Sequence, residues 1–136
     1  MHAWLPYALA TLVVFGFWGF FPKLATTHIK PGSAIVWEVL GALTVGIVAA
    51  GILKFRPETH WKGALFAFLT GISGTLGVMF FFFAVNRGKA SVVVTLTALY
   101  PVVTILLAFL LLEEAISLKQ GVGIGFALVA MVLFTL

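Results

Sequence analysis

Five apolar runs fill almost the whole chain and leave it little freedom in what it can become. They cover about residues 4–27, 33–53, 61–85, 91–112 and 119–136, and each is 18 to 25 residues long. A helix needs roughly 20 residues to cross the ~30 Å hydrocarbon core of a bilayer. Backbone polar groups that face lipid find no water, so each run must be a helix that satisfies its own hydrogen bonds. Composition agrees, with 62% hydrophobic and 9% charged residues among 136, against about 45–50% and about 25% in soluble domains. A soluble fold of this size has too little interior to hide so much apolar surface. The expectation is an all-α integral membrane protein, five transmembrane helices in one domain over 1–136, with the lipid bilayer as its first partner.

Several chemistries are excluded at once. Cysteine is absent, which removes disulfides, thiol catalysis and thiolate metal sites. Aspartate is absent as well, and aspartyl dyads and aspartyl-phosphates go with it. His2, His28 and His60 fall at ends or in connections on both membrane faces, too scattered to give one metal three ligands. No metal, no cofactor and no Ser–His–acid set is expected, and an enzyme is a poor reading. Gly121-Val-Gly-Ile-Gly-Phe lacks the spacing and the preceding strand of a nucleotide site. Eight Lys and Arg against four Glu give a net charge of +4. These basic residues stand singly or in pairs between apolar runs, where they bear on helix orientation rather than nucleic acid. The first run lacks a positively charged leading segment and reads as a mature helix, not a signal peptide.

The breaks between runs carry turn and cap chemistry. Pro31-Gly32-Ser33 turns the chain into the second helix, and Thr59 is placed to cap the third. Gly88 is expected to close the third helix in a left-handed conformation, leaving helices three and four as antiparallel neighbours. Ser117 and Gln120 have capping-box spacing at the start of the fifth helix. Trp4 and Trp61 fall at one face and suit an aromatic belt.

The stretch Ala98-Leu99-Tyr100-Pro101, followed by the leucine-rich run 106–112, Glu114, Gln120 and Gly123, resembles one repeat of the EamA type in the drug/metabolite transporter superfamily. Trp18-Gly19 with Lys23-Leu24-Ala25 is similar to the end of that repeat's first helix. The resemblance runs helix for helix along the chain and implies a five-helix transporter repeat. Three departures stand out. Family members usually carry two repeats and this chain carries one. A glycine common before the helix-four glutamate is Glu113 here, and an arginine often found early in helix two is replaced by Glu38.

Glu38 is the most informative side chain. It lies five residues into the second run, about 8 Å below its start at 1.5 Å per residue. An acid at such depth costs about 2.5–3.5 kcal/mol on insertion scales, so it is expected to have a partner or a task. Two readings stay open: an ion pair with Lys23 at similar depth, or a substrate or proton site. Pro22 and Pro101 each remove a backbone donor within a helix, and broken helices are recurrent at transporter binding sites. They are candidate breaks or hinges, or packing kinks only. Thr97, Tyr100 and Thr104 place hydroxyls around the second break, and bonding to their own helix would account for them equally well. Gly71, Gly74 and Gly77, and the pair Gly121 and Gly125, read as small-residue faces for helix or dimer packing. The run Phe80–Phe83 reads as lipid- or core-facing bulk, and Glu113 and Glu114 as interfacial charges, or gate residues, where helix four exits.

These residues lead to a secondary transporter of a small organic solute in the plasma (inner) membrane, with Lys23, Glu38, Thr97 and Tyr100 lining its site. No phosphate-binding loop is present to use ATP. The alternatives are a non-transporting membrane subunit of a larger complex and a lipid-carrier flippase on the same architecture. Lys54, Arg56, Lys62 and Lys119 fall on one predicted face and Lys23, Lys30, Arg87 and Lys89 on the other. That balance sets almost no orientation under the positive-inside rule. A homodimer of oppositely inserted copies is therefore expected, its two-fold axis in the membrane plane.

Overall fold

A computed structural model describes residues 3–135, the side chain of Thr135 excepted. His2 and the last residue of the fifth predicted span, Leu136, lie outside the described residues. The chain forms two compact units, one running to Arg87 and the other from Gly88. Every regular element among the described residues is an α-helix.

The first unit holds α1 (Leu5–His28), α2 (Pro31–Ile52) and α3 (Trp61–Arg87). Ile29 and Lys30 are both extended and form the whole link between α1 and α2. A link that short makes the two helices antiparallel neighbours, and α1 packs on α2. The second helix starts at Pro31 rather than at Ser33, because proline's fixed φ suits the first helical position and its missing N–H is no loss there. α2 ends in a Schellman turn, with Lys54 N–H on the Gly51 carbonyl at 2.9 Å and Phe55 N–H on the Ala50 carbonyl at 2.8 Å. Lys54 takes the left-handed position of that turn, at φ 52°.

The cap of α3 is His60, not Thr59. The Gly63 N–H reaches His60 Nδ1 at 3.4 Å, and the Ala64 N–H bonds the His60 carbonyl at 2.9 Å. Gly88 does not supply the expected left-handed residue either, since no glycine among the described residues has a positive φ.

The second unit holds α4 (Ala90–Thr97), α5 (Tyr100–Leu111) and α6 (Leu118–Thr135), with α4 packed on α6. α4 and α5 together are the fourth apolar run, interrupted at Ala98 and Leu99. Pro101 has no N–H to continue the ladder, and the chain tightens there. Leu99 N–H turns to the Leu96 carbonyl at 3.2 Å and Val102 N–H to the Leu99 carbonyl at 2.9 Å, both one residue nearer than an α-helix would choose. α5 closes with Glu113 at φ 55°. The Glu114 N–H folds back on the Ala108 carbonyl at 3.3 Å. α6 opens with the capping box: Gln120 N–H donates to Ser117 Oγ at 3.3 Å, and Ser117 N–H donates to Gln120 Oε1 at 2.8 Å.

Four stretches are long and apolar enough to cross a membrane: α1, α2, α3, and α4 with α5 across their break. The apolar part of α6, Leu118–Phe134, is shorter, about 26 Å at 1.5 Å per residue against a ~30 Å core.

Packing is concentrated at one end of the first unit. Ala34 of α2 meets Val78 and Phe82 of α3, with Ala25 and Ile35 against them. Gly19 and Pro22 are buried on α1, and Phe81 and Val85 on α3. Trp18 stacks on Phe81 with ring centres 5.1 Å apart. The run Phe80–Phe83 thus divides, Phe81 and Phe82 entering the core while Phe80 and Phe83 stay exposed. Residues 5–18 of α1, 40–49 of α2 and 61–77 of α3 are all exposed.

Candidate functional site in the first unit and the break in the second

Lys23 sits about one turn before the end of α1, beside the last turn of α3. Its Nζ donates to the Val85 carbonyl at 2.7 Å. Val85 is fully buried, and α3 ends two residues later at Arg87. A carbonyl in the last turn has no intrahelical N–H to accept. The ammonium answers that buried acceptor and also faces the negative end of the α3 dipole. One role of Lys23 is therefore to finish α3. Nearby, Thr26 Oγ1 donates to the Pro22 and Lys23 carbonyls at 2.9 and 3.1 Å. α1 passes through Pro22 as one continuous helix. Of the two readings, a break or a packing position, no break lies there, and Pro22 is buried in the packed end.

Glu38 has a different situation. On α2 the residues not fully exposed over 34–39 are Ala34, Ile35, Glu38 and Val39, a stripe at helical spacing. Ala34 and Ile35 rest on α3 residues and Ala25, so Glu38 continues the packed stripe one turn further along. It is half-buried, and its carboxylate has no hydrogen bond or ion pair among the described residues. The Lys23–Glu38 ion pair weighed from the sequence is not formed.

Thr97 and Tyr100 belong to the second unit and flank its break. Thr97 Oγ1 donates to the Val93 and Val94 carbonyls at 2.9 and 3.1 Å, and Thr104 Oγ1 to the Tyr100 carbonyl at 3.4 Å. Both hydroxyls are held by their own helices, the self-bonded arrangement of threonine in apolar surroundings. Tyr100 is exposed along its length. A groove of about 400 Å³ opens in this unit between α5 and α6, lined by Ile105, Phe109, Glu114, Ile116, Gln120 and Ile124 among others. The sequence reading missed it as a groove. Its signal is the spacing of Gln120, Gly123, Ile124 and Ala127, one stripe of α6. Gly121 and Gly125 are outside that stripe. A Cβ added at either would meet nothing within 4 Å, and the same holds for Gly71, Gly74 and Gly77. Among the described residues, these glycines bring no helices together within either unit.

Apolar helices of membrane-crossing length, exposed along most of their faces and carrying one half-buried carboxylate, define a multi-pass α-helical membrane protein. The chain belongs to the EamA-like transporter family, which matches residues 2–136. An uncharacterized protein of Methanocaldococcus jannaschii is similar, 27% identical over 130 residues that cover 94% of this chain and 93% of that protein. No solved structure matches the chain.

Proposed function

We propose that this protein is a secondary transporter for a small organic solute, acting without ATP as an antiparallel homodimer in the plasma (inner) membrane. The observation that carries the reading is the match to the EamA-like transporter family over residues 2–136. The relative matched along 93% of its length is also a chain of one repeat's size. Glu38 supports a binding role, because an acid in a membrane helix is costly unless it is used, and Glu38 has no partner among the described residues. Pro101, with the break at Ala98 and Leu99, is the hinge candidate, and Tyr100 and Thr97 flank it. Lys23 keeps a place at the site's edge while it holds the end of α3.

Two features support the dimer. The basic residues divide four and four between the predicted faces, or four and three with the half-buried Lys23 set aside, which gives little reason for one orientation over the other. The faces carrying Gly121 and Gly125 are open, and small residues allow close approach of a second helix. The test uses the cysteine-free sequence. Lys30→Cys and Lys119→Cys variants, made singly, are both expected to label from outside intact cells. Labelling at one site alone overturns the antiparallel arrangement. Purified protein in liposomes is expected to move solute by itself, and failure of a folded preparation to do so overturns the transport reading.

A further inference from the structure

The geometry points to an organic cation as the solute, its ammonium group received by the Glu38 carboxylate where the packed end of the first unit gives way to its open half. This inference rests on the transport reading and adds the substrate class. Glu38 is the one charged residue of α2, Pro31–Ile52. It shares the inward stripe of Ala34 and Ile35, so it is presented toward the helices of its own unit. From Leu40 to Ala49 the same helix is exposed on every side, as are α3 up to Gly77 and α1 up to Trp18. The carboxylate therefore stands at the margin of the core, with access on one side and apolar packing on the other.

Its charge is not answered among the described residues. The nearest candidate by depth, Lys23, directs its ammonium to the Val85 carbonyl. An anion in a medium of low dielectric attracts a cation far more strongly than it does in water. A divalent metal ion is a poor occupant, since it needs several oxygen ligands. No group of three His, Cys, Asp or Glu is assembled among the described residues. A monovalent ammonium needs one carboxylate and apolar surface for its carbon substituents, which Ala34, Ile35 and Val39 on the same stripe of α2 offer.

The experiment compares three benzyl compounds of matched size on the purified full chain in detergent: benzyltrimethylammonium, its neutral carbon isostere neopentylbenzene, and phenylacetate. Binding is read by calorimetry and by the shift of the thermal midpoint. The ammonium compound is expected to bind saturably and at least tenfold more tightly than either of the others. Glu38→Gln is expected to erase that preference, Glu38→Asp to keep part of it, and Glu58→Gln, at an exposed position between α2 and α3, to leave it unchanged. Equal binding of all three compounds by wild-type protein overturns the inference, and this comparison needs no variant to fold. A preference that survives Glu38→Gln overturns it too. The two readings fail separately. Liposomes that move a neutral or anionic solute independently of Glu38 contradict the cation site and leave transport standing. Glu38-dependent ammonium binding with no flux of any solute contradicts transport and leaves the cation site standing.

Discussion

Both units are built from strongly apolar sequence, yet among the described residues only the first has a core. Ala34, Val78, Phe81, Phe82 and Val85 are buried there, and α1, α2 and α3 all contact one another. In the second unit no described residue is buried. Its order rests on local devices: the capping box at Ser117, threonines bonded to their own helices and the tightened turn before Pro101. The difference lies in shape rather than hydrophobicity. Aromatic and small residues alternate at the packed end, with Trp18 on Phe81 and Ala34 against Phe82, and they interlock. Lipid tails are as apolar as leucine, so the leucine-rich α5 gains little by choosing protein over lipid. The first unit can hold its end together by itself, and the second takes its stability from its surroundings.

The sharpest way to break this comparison is to remove a large side chain from each unit. Phe82→Ala should lower stability by about 2–3 kcal/mol, somewhat below the ~3–5 of soluble cores because lipid offers no hydrophobic gain. Phe109→Ala, at a half-exposed position, should cost less than about 0.5 kcal/mol, as surface substitutions do. Unfolding in mixed micelles checks both, and equal losses would erase the distinction.

The next effect belongs to Lys23. Lys23→Met strips the buried Val85 carbonyl of a donor and should cost about 1–3 kcal/mol, the range for an orphaned buried acceptor. The loss should appear as faster amide exchange in the last turn of α3. Lys23→Arg, which keeps a cationic donor, should recover most of it. In the second unit Ser117→Ala should cost about 1 kcal/mol through the lost cap and loosen only the first turn of α6.

The smallest effects run in the stabilising direction. Lys54 and Glu113 both hold left-handed backbone, at φ 52° and 55°, where a Cβ costs roughly 1–2 kcal/mol. Lys54→Gly and Glu113→Gly should each raise stability by about 0.5–1 kcal/mol after the extra unfolded-chain entropy of glycine is subtracted. A fall in the thermal midpoint at either position would contradict the turn geometry assigned to it.

How far the sequence reveals this molecule depends on the range of the interaction. The helices and the capping box are local, and the five apolar runs match α1, α2, α3, the α4–α5 pair and α6 within a few residues. Glu113 carries a lesson of the same kind: the position where the resemblance implies glycine is one where the backbone turns left-handed. The interruption at Ala98 and Leu99 is the local effect of Pro101, whose missing N–H acts within one turn, but a proline alone does not announce it. Pro22 has the same chemistry and leaves α1 continuous, and it is buried in the packed end. Lys23 escaped in the same way. Its bond to Val85 joins residues 62 apart, and no spacing in the sequence announces a carbonyl as an acceptor. His60 replaced Thr59 as the cap because a one-residue shift of the helix start changes which side chain faces the free N–H groups.

The most direct test of the account is solute flux through liposomes containing only this protein, compared between wild type and Glu38→Gln. The account predicts saturable uptake of an organic cation by wild type and at least a tenfold loss in the variant, with both preparations helical and of the same oligomeric size. Uptake no greater than in protein-free liposomes, or uptake unchanged by the substitution, would contradict it.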